Sequence, residues 1–541
     1  MKFSLVIGLI ILSLGISAQE IADGVYWIYF TDKQGTSFDI AHPEEFLSDR
    51  SVNRRAVQGL GIDHHDRPVN PDYLQGIKDL GIHIRHVSRW LNGAVMTGMD
   101  AVSFQQVLDL SFTDTVAWYA ETDDVFFPSI SGLPRFEAPL GTAPSYDYGV
   151  AEEQVSMLQT NQLHELGYTG KGVWIAVLDG GFKNVDVLPS FIHMRAEGRI
   201  LDSLNYVNDQ SIYRLGSSHG MYVLSTMGGE WDGNMVGTAP HASYLLCTTE
   251  DADRETRMEE IAWIAAAEYA DSLGVDVINT SLGYSDFDGE NFDYSYRDLD
   301  GRTSFISRAA SLTASRGMVA CNSAGNQGDD SWFYITPPAD ASDILAVGAV
   351  DSTGYIAGFS SRGPSFDARI KPDVCAMGVA SGLQGSQGGL ARGNGTSFAS
   401  PILAGSVASL WQAFPELSAR ELIHTIRQSG DRHKNPDSTY GFGIPNIHHA
   451  YFAITSVPMN ANTATLELWP NPASEHLMIR IPEVLPEEQE IRFYDMQGRL
   501  CASLRSTLPG EISLPPALGF GIYVVEIRTA HTLYRSRLII Q

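Results

Sequence analysis

The sequence predicts an α/β protein: a doubly wound parallel sheet, preceded by an N-terminal α+β domain and followed by a C-terminal all-β sandwich domain. Three observations predict it. Apolar runs of strand length alternate with helical segments between residues 149 and 454, polar residues close several of those runs, and Pro/Gly-rich or polar stretches cut off a unit at either end.

The elements follow in chain order. Lys2, the apolar run Leu5 to Leu14 and the small residues before Gln19 have the pattern of a secretory signal peptide, residues 1–18. Residues 19–128 mix short strand-like runs with polar helical stretches. The segments Pro128 to Pro134 and Pro139 to Pro144 mark a linker over 129–148. In the central domain, 149–454, Val173-Trp-Ile-Ala-Val-Leu178 is uninterrupted, as expected of a parallel strand buried on both faces. Further strands are predicted at Ser243 to Cys247, Val275 to Asn279, Met318 to Asn322 and Ile344 to Val350, with helices at Met258 to Ala270 and Phe305 to Arg316. A second linker, 455–465, leads to 466–541, where alternating runs at Leu477 to Ile481, Glu490 to Tyr494, Ile522 to Ile527 and Tyr534 to Ile540 predict a small β domain, with a turn at Asp495 to Gly498.

The bulk numbers exclude several functions. A net charge of −28 repels phosphate backbones and anionic lipid, so nucleic acid is not expected as a partner, and no block of like charge stands out. No later stretch is long and apolar enough to span a bilayer, which predicts no transmembrane segment in the mature chain. The four cysteines form no metal-ligand spacing, so no metal site is read from them; Cys247 and Cys321 lie on apolar runs as buried hydrophobes would.

In an open α/β sheet ligands bind beyond the carboxyl ends of the strands, which directs attention to the residues closing the runs. Asp179 ends one and is followed by two glycines; Asn326 ends another; Asn279 introduces Thr280-Ser-Leu-Gly283. His219 opens a short apolar helix pattern ending in Gly228. Ser397 lies between Gly395 and Pro401 ahead of a small-residue helix, with Pro401 expected in its first turn. There the helix N-terminus favours developing negative charge on the serine.

Together these motifs resemble the subtilisin-like serine peptidases over about 149–454. Gly395-Thr-Ser-Phe-Ala-Ser-Pro401 is similar to the family's serine motif, Ser323-Ala-Gly-Asn326 to its oxyanion motif and Asn279 to Gly283 to its substrate-binding strand; Phe359 to Pro364 and Lys371 to Val374 are further landmarks. The resemblance implies a secreted serine endopeptidase acting on proteins through an acyl-enzyme. Ser397 would be the nucleophile, His219 the general base and acid, Asp179 its orienter and Asn326 the oxyanion donor. Ser281, Leu282, Gly283, Ser323, Ala324 and Gly325 would line the substrate site. No cofactor is implied for the chemistry, and structural calcium is possible; the loop Asp286 to Glu290 could hold it, but reads first as a solvated turn. The family usually has Ser or Thr where Gly180 stands and Thr where Met221 stands, so a hydroxyl is expected to be missing beside Asp179.

The first domain resembles a propeptide that would assist folding, occupy the cleft and be released by cleavage in the linker. Leu468 to Ala473, Tyr494 to Arg499 and Gly521 to Val525 resemble the C-terminal sorting domains of type IX secretion cargo. The implied partners are therefore protein or peptide substrates, the chain's own propeptide and the type IX secretion machinery, with an extracellular or cell-surface location. A catalytically silent binding protein on the same fold is the alternative; an α/β-hydrolase esterase is disfavoured because the order here is Asp, His, Ser and Ser397 has no GxSxG elbow.

Overall fold

The computed structural model describes residues 24–121, 125–128, 145–288 and 292–456, and between 466 and 540 all but 472, 475, 482–487, 496–499, 520 and 529–532. The predicted signal peptide, most of both linkers, Glu290 and most of the turn at Asp495 to Gly498 lie outside the described residues. The chain divides into two compact units, 1–445 and 446–541.

The N-terminal domain is a four-stranded antiparallel sheet of order β2-β3-β1-β4, with β1 Val25–Phe30, β2 His83–Ser88, β3 Gly93–Thr97 and β4 Thr113–Ala120. It carries helices α1 Asp49–Val57, α2 Pro71–Lys78 and α3 Ala101–Leu108. Successive strand side chains point to opposite faces, and β1 buries both. Tyr26, Ile28 and Phe30 pack with Ile77 and Val107 inside the domain, while Val25 and Trp27 enter the core shared with the central domain.

The central domain is a seven-stranded parallel sheet of order β11-β10-β9-β8-β5-β7-β6. Its strands are β5 Trp174–Asp179, β6 Ile200–Asn205, β7 Ser243–Thr248, β8 Val277–Thr280, β9 Val319–Ser323, β10 Leu345–Val350 and β11 Val374–Met377. Its main helices are α4 His219–Gly228, α5 Arg257–Leu273, α6 Phe305–Leu312, α7 Thr396–Ala413 and α8 Ala419–Gln428. The predicted helix to Arg316 stops at Leu312 and ends in a 3₁₀ turn, Thr313–Arg316, closed by Gly317 at φ +84°. The edge strand β6, Ile-Leu-Asp-Ser-Leu-Asn, was not read from the sequence, because its polar residues break the apolar run that marks the central strands.

Helix α5 is buried along its whole length after Arg257 because one side covers the parallel sheet and the other meets the N-terminal domain. Its four acids are each matched. Glu259 caps the helix start, Glu260 pairs with Arg257, Glu268 accepts from Ser88 and from the backbone of Arg89 and Trp90, and Asp271 meets Arg54, Arg55 and Arg89.

The C-terminal unit contains α9 Ile447–Ser456, which groups with it although the sequence assigned 447–454 to the central domain, and two antiparallel sheets. These are β12-β13-β16 and β15-β14-β17-β18, from β12 Glu467–Trp469, β13 His476–Arg480, β14 Gln489–Asp495, β15 Leu500–Ser506, β16 Gly510–Ser513, β17 Gly521–Arg528 and β18 Leu533–Ile540. Leu477, Ile479, Phe493, Val525 and Leu538 are among the residues of the core between them.

Candidate active site

Asp179 is the last residue of β5 and His219 the first of α4, so a strand end and a helix start face each other at the carboxyl edge of the sheet. His219 Nδ1 lies 2.6 Å from Asp179 Oδ1, which also accepts the Gly180 N–H at 2.7 Å. The approach requires glycine at 220: a Cβ there would stand 2.7 Å from the Gly181 carbonyl oxygen and 3.0 Å from the Asp179 Cβ. Met221, where a hydroxyl residue is usual, is fully buried, and its N–H donates to Gly181 O. Asp179 is 1% exposed, yet its Oδ2 has no hydrogen-bond donor among the described residues. Gly180, next in the chain, has no hydroxyl to offer that oxygen.

Burial draws the His219 pKa down, but the Asp179 carboxylate at Nδ1 outweighs it and holds the imidazole above its ordinary value of 6.5. The ring is 39% exposed and borders the cleft.

Ser397 is the second residue of α7 and 8% exposed. Its Oγ donates to the Ser281 carbonyl at 3.3 Å, and no hydrogen bond joins it to His219. Pro401 stands sixth in α7, in the second turn rather than the first. A proline there removes the N–H that would bond to the carbonyl four residues back, which is that of Ser397. The Ser281 hydroxyl donates to the freed carbonyl at 2.9 Å, so the missing helix bond is replaced by one that ties the Ser397 segment to the strand edge.

Asn326 is fixed through Oδ1, which accepts from the Thr396 N–H and hydroxyl, both at 2.9 Å. Its Nδ2 is thereby turned toward Gly395. A Cβ on Gly395, whose φ is +153°, would lie 3.7 Å from Asn326 Nδ2 and 3.6 Å from Ser397 N. Two N–H donors thus border the space left by one missing side chain.

Ser281, Leu282 and Gly283 extend β8; Ser323 closes β9 and leads into Ala324 and Gly325. The Leu282 carbonyl accepts from Ser323 Oγ and Asn322 Nδ2, both at 3.4 Å, tying the two segments together. The structure therefore gathers Asp179, His219, Ser281, Leu282, Gly283, Ser323, Ala324, Gly325, Asn326 and Ser397 at one edge of the sheet.

Beside His219 opens a cavity of about 430 Å³, and its far wall corrects the expectation that no like charge clusters. Glu250, Asp251, Asp253, Glu255 and Asp288 line it with Arg254. Burial and the neighbouring acids hold Glu250 protonated well above the carboxylate range, and burial with Asp288 and Asp286 raises Glu255 to about 7. The signal was present: Glu250 to Glu255 follows the carboxyl end of β7, the position that drew attention to Asp179.

Carboxylate oxygens of Glu250, Glu255 and Glu259 fall within 4.8 Å of one another, a group that a metal ion could bridge. Calcium takes six to eight oxygens, whereas both Glu259 oxygens already accept from the Asp251 and Thr256 N–H groups and Glu250 accepts from the Tyr284 hydroxyl. In the loop around Asp286, the Asp286 carboxylate accepts from the Ser285 hydroxyl.

Residues 170–443 match the model of the subtilase family, residues 25–126 that of the Bacteroidota propeptide domain of peptidase S8, and residues 467–541 that of the secretion system C-terminal sorting domain. Serine protease AprX of Bacillus subtilis is 29% identical over 314 residues, 52% of this chain and 66% of the relative. Subtilisin-like protease SBT6.1 of Arabidopsis thaliana is 31% identical over 280 residues, 50% of this chain and 24% of the relative. Subtilisin E of Bacillus subtilis is 29% identical over 326 residues, 60% of this chain and 76% of the relative. The chain thus spans less than two thirds of the first two. Among solved structures, the MycP3 protease of a type VII secretion system matches with a TM-score of 0.45 and 20% identity, over 57% of this chain and 90% of that one.

Proposed function

The chain belongs to the subtilase family, and on that premise we propose that it is a serine endopeptidase cleaving proteins through an acyl-enzyme at Ser397. Its N-terminal domain is an S8 propeptide and its C-terminal domain a type IX sorting domain, which assigns the protein to secretion or the cell surface. The observation that carries the proposal is the 2.6 Å Asp179–His219 pair at the sheet edge where Ser397 and Asn326 also lie.

The Asp179 carboxylate accepts the Nδ1 proton and leaves Nε2 as the base. In this reading Oγ turns from the Ser281 carbonyl toward Nε2 when substrate is bound. As Oγ attacks the scissile carbonyl carbon, its proton passes to Nε2 and the oxygen's charge develops against Asn326 Nδ2 and the Ser397 N–H. His219 returns the proton to the departing amine as the C–N bond breaks, and water repeats the cycle on the ester. All these groups come from the protein, so the steps require no cofactor.

The propeptide, in this reading, is a folding partner docked on α5 and α6. Among the described residues, only peptidase residues line the cavity beside His219, so occupation of that cavity by the propeptide is not seen.

A fluorophosphonate probe tests the proposal. The secreted protein should be labelled at Ser397, and Ser397→Ala should not. A correctly processed, unlabelled wild type would overturn the enzyme reading in favour of a silent binding protein.

A further inference from the structure

A second cavity, of about 570 Å³, lies where the N-terminal domain meets α6. Three loops of that domain line it: the one after β1 through Lys33, the one after α1 through His64, His65 and Arg67, and the one between β2 and β3 through Trp90 and Leu91. Arg308 and Leu312 of α6 complete the wall. Asp32 is the one acid among the lining residues, in a chain that carries 64 acids against 36 Lys and Arg.

The cations here are not neutralised by the protein. Lys33 is 7% exposed, and its ammonium donates to the carbonyls of His64, Arg67 and Arg89 within 2.6 Å rather than to a carboxylate. Those bonds use all three of its N–H groups and supply no opposite charge. Burial draws it down to about 8, which leaves it charged at neutral pH. Arg67 donates through Nε to the Phe38 carbonyl at 2.9 Å, and Arg308 through Nη1 to the Tyr29 hydroxyl at 2.8 Å. Neither has a carboxylate partner among the described residues, so each guanidinium keeps donors to spare. The acids close to them are engaged elsewhere: Asp63 and Asp66 with Arg316, Asp66 also with Arg55, and Asp32 with the Tyr73 hydroxyl and the Gln34 N–H.

Lys33, Arg67 and Arg308 against Asp32 leave the cavity two positive charges in excess before either imidazole takes a proton. We propose that this cavity binds a small oxyanion of charge −2, a phosphate monoester or a dicarboxylate, and that the anion ties the N-terminal domain to α6. Its volume is that of a small-molecule site. Planar guanidinium forks match the oxygens of either group, and here one fork comes from each domain. Trp90, Leu91 and Leu312 give the ligand's carbon part an apolar wall. An anion that needs groups from both domains binds only their docked form, so at 100 times its Kd it raises their association constant about 100-fold. The inference makes no use of Ser397, and its failure would leave the peptidase reading as it stands.

Isothermal titration calorimetry of the purified unprocessed chain tests it, with inorganic phosphate, succinate and acetate as probes at constant ionic strength. One dianion per chain should bind, at least about tenfold tighter than acetate. Arg67→Gln and Arg308→Gln should each weaken that binding by about tenfold or more, the loss of a charge-assisted hydrogen bond. Arg214→Gln, at an exposed arginine outside the cavity, should leave it unchanged. Two variants in separate domains keep the test intact if one fails to fold. The inference is overturned by a wild type that binds neither dianion saturably, by acetate bound as tightly as succinate, or by a folded arginine variant at 67 or 308 that binds like the wild type.

Discussion

Where the N-terminal domain meets α5, buried ions are paired by protein; in the cleft beside His219, buried polar groups are left without protein partners. Asp271 is fully buried, and although burial opposes its charge, Arg55, Arg89 and Arg54 hold its carboxyl far below the ordinary range. Arg316 closes the same network on Asp66 and Asp63. Across the sheet, Asp179 Oδ2 has no donor among the described residues, and Glu250 and Glu255 face other acids. An interface that holds a folding partner gains from pairing its ions, even though Arg55 Nε, Arg89 Nε and Trp90 Nε1 stay unbonded there, whereas a cleft must keep some of its polar groups for a substrate.

The comparison breaks first if Asp271 is dispensable. Asp271→Ala leaves three mostly buried guanidiniums facing one another, and removal of one partner from such a network costs about 3–5 kcal/mol. Thermal unfolding of the unprocessed chain should show that loss as a sharply lowered midpoint or a collapse in secreted yield. A midpoint within a degree of wild type would mean that the interface is held by the apolar cluster of Trp27, Tyr119 and Phe305 instead.

On the cleft side, the largest effect should come from Asn326→Ala. It removes one of two oxyanion donors while leaving the Asp179–His219 pair untouched, so kcat should fall by about 100- to 1,000-fold, the loss known for one such donor in subtilisin, with little change in KM. Steady-state kinetics decide it. A loss confined to KM would place the Asn326 amide on substrate binding rather than on the developing charge.

What was legible in the sequence follows from how local each signal is. The Asp179, Asn326 and Ser397 positions were readable because a strand end and a helix start each announce themselves within a few residues. Gly180 likewise predicted the missing hydroxyl that the orphaned Asp179 Oδ2 displays. Pro401 was misplaced by a turn, since the Ser281 hydroxyl that makes up for its missing N–H lies over a hundred residues away. The burial of the four acids of α5 was not legible, because Glu268 and Asp271 find their partners in the N-terminal domain, far away in sequence.

The acidic wall offers a smaller effect with a defined sign. Glu255 has its pKa raised by burial and by Asp288 and Asp286 to about 7, so the fold favours its protonated form. That contribution is fully present below the unfolded value of about 4.5 and is lost as pH rises through about 7. Glu255→Gln should therefore stabilise the protein at pH 8, by on the order of 1 kcal/mol once solvent screening is allowed for, and by nothing measurable at pH 4. Equal shifts at both pH values would show that the cluster's mutual repulsion is not what Glu255 reports.

The smallest effect sharpens the comparison most, because it completes an unsatisfied group without disturbing the fold. A Cβ on Gly180 would sit 3.5 Å from Ser217 Oγ and 3.6 Å from Glu250 Cβ, ordinary contacts, so Gly180→Ser can be accommodated. Its hydroxyl would supply Asp179 Oδ2 with a donor. In the wild type the Asp179 carboxylate holds His219 above 6.5, and since the neutral imidazole is the active base, kcat/KM should rise with pH along a limb centred above 6.5. The stability contribution runs the other way, present below 6.5 and lost as pH rises through the folded value. A donor on Oδ2 spreads the carboxylate's charge and weakens its hold on the imidazolium. One hydrogen bond is worth about 1 kcal/mol, so the limb should move to lower pH by less than about one unit. A pH–rate profile of both forms measures this directly. A limb that moves upward, or a wild-type limb centred at or below 6.5, would mean that Asp179 does not set the basicity of His219 and that the orphaned oxygen has no bearing on catalysis.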